Sequence, residues 1–213
     1  MRLADLPIGG MDRQFDKKRA DMIKKLMTAA ALLAMAGAAS AATLYTTGVL
    51  DFNKTTKGSY LGKIGAAVPV TVLKKQGNLS YVRISGWTLA EYPSMIFAEP
   101  GVRIEYGSFD EESAVKTNPK AGEKVVQENK WVKATAEGWV QSAKLTNNLN
   151  KLWQQGKSRH AEACSMCHAA PKADHFTANQ WASVLPAKGG RTGHTRAGAN
   201  AVMFKYLQAH AKK

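Results

Sequence analysis

From residue 43 to residue 145, apolar and polar positions alternate in short runs separated by turn residues. Val68-Pro69-Val70-Thr71-Val72-Leu73 is a β-branched run, and Lys74-Lys75-Gln76-Gly77-Asn78 reads as a turn. Leu79-Ser80-Tyr81-Val82-Arg83-Ile84 then sets Leu79, Tyr81 and Arg83 on one face. The two runs predict a hairpin that Gly86-Trp87 closes. The phrase returns as Trp131-Val132-Lys133-Ala134-Thr135-Ala136-Glu137-Gly138-Trp139-Val140, again an aromatic, an alternating strand and Gly-Trp. Glycine in that slot is expected to permit a tight turn, and tryptophan to cap a small core. Several short strands with regular turns predict a small all-β sandwich or barrel.

After residue 145 the period changes. Leu149, Leu152 and Trp153 have helical spacing within Asn147–Glu162. Pro171 and Lys188-Gly189-Gly190 read as breaks. Ala197–His210 carries Val202, Tyr206 and Ala209 together with Met203 and Leu207, an amphipathic terminal helix. The pattern predicts a small all-α domain over 146–213. A domain that short needs a metal or a large ligand at its centre.

Residues 22–42 follow a third pattern. Lys24 and Lys25 precede a largely apolar run, Leu26–Ala36, and Ala39-Ser40-Ala41 is a small-residue cleavage pattern. This is the plan of a secretory signal peptide. The run is shorter than the ~20 apolar residues of a membrane-spanning helix. Residues 1–21 are mostly polar and precede Met22, which is expected to be the true start, with 1–21 a gene-model extension. After cleavage no membrane span is expected.

The 213 residues include 30 Lys+Arg and 16 Asp+Glu, a formal net charge of +14. Such a balance favours an anionic partner or surface without naming it. Export argues against nucleic acid. Only two cysteines are present, too few for a disulfide-rich scaffold. Residues 43–145 hold no Cys or His, so that segment lacks the usual metal ligands and general base and reads as a structural or docking module.

Both cysteines lie in Cys164-Ser165-Met166-Cys167-His168. This C-x-x-C-H is the attachment sequence of c-type haem. On a helical turn the two thiols reach the two vinyl groups on one edge of a porphyrin, and His168 supplies the proximal nitrogen to iron. A zinc site would need further ligands, and a redox dithiol would need a βαβ context. One haem c per chain is expected, held by Cys164 and Cys167.

The "alternating strand, then Gly-Trp" phrase resembles bacterial SH3-like domains. The CHAAP stretch from Cys167 to Pro171 and the HFTANQW stretch from His175 to Trp181 resemble the C-terminal monohaem region of the pentahaem cytochromes of trimethylamine N-oxide and dimethyl sulfoxide respiration, in which an SH3-like segment also precedes the haem. The family's membrane-anchored tetrahaem domain has no counterpart in this sequence. The resemblance implies an α+β protein of two domains, a small all-β SH3-like barrel over 43–145 followed by a small all-α cytochrome c-like haem domain over 146–213.

The sixth iron ligand stays open between several residues. Met166 lies inside the motif, His160 a turn upstream, His210 near the terminus and His194 in a Gly/Thr-rich loop. His175 lies in the phrase shared with the family, which resembles bis-histidine proteins. Met203 is the alternative, and its bland role is core filler. The choice matters because a His/Met pair raises the reduction potential relative to His/His.

The resemblance therefore implies a periplasmic electron carrier, not an enzyme. It would receive electrons from a membrane multihaem cytochrome and pass them to a molybdenum N-oxide or S-oxide reductase. One alternative is a regulatory module that holds a sensor kinase or an immature reductase. Another is a five-coordinate haem protein that binds ligands. Lys172, Lys188, Arg191, Arg196, Lys205, Lys212 and Lys213 are expected to surround the haem region, where they solvate it or steer an acidic partner.

Overall fold

The structure, a computed structural model, describes residues 43–165, 169–192, 198 and 200–213, with the side chains of 186–192 left undescribed. The signal peptide and the upstream extension expected over 1–42 lie outside the described residues, as do Met166, Cys167, His168 and His194.

Ten strands form one connected sheet. They are β1 (Thr43–Thr46), β2 (Leu50–Thr55), β3 (Gly58–Ile64), β4 (Pro69–Gln76), β5 (Leu79–Leu89), β6 (Met95–Phe97), β7 (Glu105–Phe109), β8 (Val115–Val126), β9 (Asn129–Gln141) and β10 (Leu145–Thr146). Their order is β10-β1-β4-β5-β6-β7-β3-β2-β9-β8, and an additional β5–β9 pairing joins two strands far apart in that order. Strands β5, β6, β7, β3, β2 and β9 therefore close into a six-stranded barrel. Closure leaves the barrel's own ring without an open edge, while β10 and β8 remain the two edges of the sheet. The interior holds Phe52, Ile64, Val68, Val82, Ile84, Ile96, Phe109, Ala136 and Val140, all buried.

The expected hairpin forms as β4 and β5, but its turn is only Gly77-Asn78, with Gly77 at φ 56°, because Lys74, Lys75 and Gln76 pair as part of β4. The two repeated phrases pair with each other, antiparallel, from Leu79↔Gln141 to Leu89↔Trp131. This places the first aromatic of one phrase beside the last tryptophan of the other, with Tyr81 and Trp139 ring centroids 5.2 Å apart.

Gly86 and Gly138 do not make turns, because both strands run through them. A Cβ at Gly86 would stand 2.2 Å from the Phe97 carbonyl oxygen, and one at Gly138 2.8 Å from Phe52 Cζ. Glycine is required there by close approach. The tryptophans lie outside the barrel's core cluster. Lys133 Nζ sits 4.2 Å from the Trp87 ring centroid and Lys74 Nζ 5.3 Å from that of Trp139. The ammonium groups themselves lie over the ring faces, a cation–π arrangement.

Three α-helices follow among the described residues: α1 (Leu149–Cys164), α2 (Ala178–Thr192) and α3 (Asn200–Ala209). Asn148 caps α1 by accepting from the Lys151 backbone N–H at 2.9 Å. Thr177 and Gln180 cap α2 reciprocally. The Gln180 side chain accepts from Thr177 N–H at 2.9 Å, and the Thr177 hydroxyl accepts from Gln180 N–H at 3.2 Å. The break expected at Lys188-Gly189-Gly190 does not occur, since α2 runs on to Thr192.

The fold class expected from the sequence, an α+β protein of two domains with an all-α haem domain after the barrel, is overturned. Strands dominate, the helices number three among the described residues, and besides a small cluster of their own these helices pack on the barrel's surface. Leu152, Ala201 and Val202 bury against Ala66 and Ala67 from the β3–β4 connection. The β6–β7 loop is stitched to α2 and α3. Arg103 N–H donates to Asn179 Oδ1 at 2.7 Å, Asn179 Nδ2 donates to the Gly101 carbonyl at 2.9 Å, and Gln208 Nε2 donates to the Arg103 carbonyl at 2.7 Å. Residues Ala41–Lys213 form one compact unit.

Candidate haem site

Helix α1 ends on Cys164, so the first residue of C-x-x-C-H occupies the last helical turn. Cys164 is half-buried against a cluster of Ala163, Trp181, Met203 and Leu207, with Phe176, Leu185 and Tyr206 on its margin. Three elements build this cluster. Helix α1 contributes Ala163 and Cys164, α2 contributes Trp181, and α3 contributes Met203 and Leu207. The α1–α3 crossing is close because residue 156 is glycine. A Cβ there would stand 2.5 Å from Tyr206 Cβ and 3.0 Å from the Val202 carbonyl oxygen. Arg159 adds a polar tie across the crossing, donating from Nε to Asn200 Oδ1 at 3.0 Å.

Trp181 is 1% exposed and donates from Nε1 to the Ala173 carbonyl at 2.8 Å. Its indole therefore buries no unsatisfied N–H. Phe176 packs edge-on to it with centroids 4.9 Å apart. The chain end is pinned to the same place, with Lys212 N–H donating to the Phe176 carbonyl at 2.9 Å.

The sequence-nominated residues fall in different surroundings. Met203 is 3% exposed and shares the cluster with Cys164. His175 ends a single 3₁₀ turn, Ala173–His175, and is exposed, its ring edge-on to Phe176 with centroids 4.5 Å apart. His210 is exposed, with Nδ1 2.9 Å from the Tyr206 carbonyl oxygen. Cys167 and His168 lie outside the described residues, and so does His194.

His160, one turn before Cys164 on α1, is buried, and its Nε2 has no hydrogen-bond partner among the described residues. Burial holds its pKa below the ordinary imidazole value. An apolar and aromatic wall against a half-buried cysteine, with an orphaned buried nitrogen one turn away, fits a covalently attached haem on the side that the described residues supply.

Sequence reasoning misplaced Lys205. Expected at the surface around the haem, it is 6% exposed and faces the barrel, with Nζ donating to the Glu105 carbonyl and lying 5.6 Å from the Tyr106 ring centroid. Burial holds its pKa down at about 8. The clamp of Asn179, Gln208 and Arg103 was likewise missed, because it joins loops and helices about 30 to 105 positions apart.

The TorC third cytochrome c domain family matches residues 38–145, the β region. The cytochrome c-type protein TorC of Escherichia coli is 31% identical over 154 residues, which cover 70% of this chain and 39% of that protein. The cytochrome c-type protein TorY of Haemophilus influenzae is 31% identical over 140 residues, covering 65% of this chain and 38% of that protein. The chain thus spans about two fifths of the length of the relatives it matches. No solved structure matches it. With about half its length matched by that domain family and its C-x-x-C-H motif following on an apolar helical cluster, the chain belongs to the TorC family of c-type cytochromes.

Proposed function

We propose that the chain is a periplasmic monohaem c-type cytochrome that carries electrons to a molybdenum-containing reductase of N-oxides or S-oxides, with a membrane multihaem cytochrome as its donor. The observation that carries this reading is the single C-x-x-C-H motif at the end of α1, in a chain of the TorC family, whose cytochromes transfer electrons and are not enzymes. The signal-peptide pattern over 22–42 supports export to the periplasm.

In this reading Cys164 and Cys167 form the two thioether links and His168 is the proximal ligand. His175 would supply the second ligand to the iron, with Met203 as its alternative. The bound haem supplies one-electron ferric–ferrous chemistry. The chain's own contribution is to hold the ring and exclude water. Trp181, Met203 and Leu207 give an apolar wall, and the capped start of α2 fixes the indole of Trp181 within it. Low polarity beside a haem is one of the protein's levers on its potential.

The test is to reduce the haem-loaded protein and mix it with a molybdenum N-oxide reductase and trimethylamine N-oxide. Rapid reoxidation, seen as loss of the ferrous absorption bands, is expected. Persistence of the ferrous spectrum would contradict the proposal. Near-infrared magnetic circular dichroism separates the ligand sets. A His/Met band would remove His175, and a bis-histidine band abolished in His175→Ala would remove Met203.

A further inference from the structure

We infer that the cleft between the barrel and α3, at the buried Lys205, is a binding site for one small oxyanion. The inference is independent of the haem reading. The cleft encloses ≈ 200 Å³ and is lined by Lys63, Gly65, Arg103, Ser108, Lys205 and Gln208. With liquid water occupying about 30 Å³ per molecule, it has room for an anion of phosphate size and part of its hydration.

Three basic side chains converge on it, and one acidic side chain, Glu105, shares the lining, which leaves a positive excess. Lys205 is the built part of the site. Its ammonium carries three N–H donors. Among the described residues its one hydrogen-bond acceptor is the Glu105 carbonyl oxygen, and it forms no ion pair with a carboxylate. Donors on a buried ammonium that find no acceptor cost free energy.

Residue 65 is glycine, and a Cβ there would lie 3.7 Å from Lys205 Nζ, so the missing side chain leaves the ammonium facing the cleft. Ser108 adds a neutral polar group, while Lys63 and Arg103 are exposed at the mouth, where they draw an anion in. Burial lowers the Lys205 pKa to about 8, and an anion beside it favours the charged form.

The experiment titrates the haem-loaded protein with inorganic phosphate by isothermal calorimetry at low ionic strength. A sodium chloride arm at matched ionic strength isolates screening. Lys205→Met removes the buried donor, and Arg103→Gln removes charge at the mouth without entering the core. Saturable binding of one phosphate per chain is expected, weakened about tenfold or more by Lys205→Met and several-fold by Arg103→Gln. If Lys205→Met fails to fold, Arg103→Gln decides. Phosphate binding that matches the chloride arm, or that neither variant weakens, would overturn the inference. An acetate arm tells whether a carboxylate suffices or a tetrahedral anion is needed, and binding of either class with the stated losses upholds the site.

Discussion

Lys205 gives a quantitative handle on the junction between the barrel and the helices. Its pKa is held at about 8 against an ordinary 10.5. Between those values the unfolded chain binds more protons than the folded one, so stability rises with pH across that window. Converted at about 1.4 kcal/mol per pH unit, this group contributes on the order of 3 kcal/mol of extra stability by pH 10.5. Burial also raises the pKa of Tyr106, and that group acts in the opposite sense. Its stabilising contribution is present below the ordinary tyrosine value of 10.0 and lost as pH rises through the folded value.

The perturbation that isolates Lys205 is therefore Lys205→Met, compared with the parent at each pH. At pH 7 the variant loses the hydrogen bond to the Glu105 carbonyl, about 1 kcal/mol, but no longer buries a charge. It is expected to be as stable as the parent or more stable. By pH 10 the parent should gain on it by about 2 to 3 kcal/mol. Urea denaturation followed by far-ultraviolet circular dichroism, in phosphate-free buffer from pH 7 to 10.5, measures the difference. A difference that stays flat across this range would refute the burial of a charged lysine at this junction.

Further outcomes follow from packing. Gly156→Ala should cost about 1 to 3 kcal/mol in thermal unfolding by forcing α3 from α1, and should loosen the haem environment as seen in the Soret circular dichroism. Gly138→Ala should destabilise by a similar amount without changing that signal, because its clash with Phe52 and Asn53 lies in the barrel. Thr177→Ala removes half of the reciprocal cap on α2 and should cost about 1 kcal/mol by denaturant titration. Gln127 and Glu128 both have positive φ in the two-residue β8–β9 turn, at 51° and 63°. Gln127→Asn with Glu128→Gly should raise the melting temperature, since those residues take this turn with less strain.

What the sequence made legible was local. The β4–β5 hairpin showed in its alternation and in Gly77-Asn78, and α1 and α3 showed in their apolar spacing, with ends off by one to three residues. Barrel closure was not legible. It depends on β5 pairing with β9 about 50 positions away, and no local period encodes that register. Gly86 and Gly138 looked like turn residues, because a demand for close approach and a demand for unusual dihedrals leave the same letter in the sequence. Lys205 looked solvent-facing because amphipathic reasoning gives a helix one buried face. Helix α3 has two, with Met203 and Leu207 against the other helices and Lys205 against the barrel. Of the candidate haem site, the C-x-x-C-H motif is read from the sequence alone, and its Cys167 and His168 lie outside the described residues. The apolar wall that Trp181 and Leu207 build around Cys164 required tertiary structure.

The central claim is that one haem is covalently held by Cys164 and Cys167. Its most direct measurement is the mass of the mature protein after export from a host able to attach haem, taken following denaturation and acid–acetone extraction. A single species carrying one haem that survives extraction is expected, reduced to a weaker or absent adduct in Cys164→Ala. A mass equal to the bare polypeptide, or a haem wholly removed by the solvent, would contradict it.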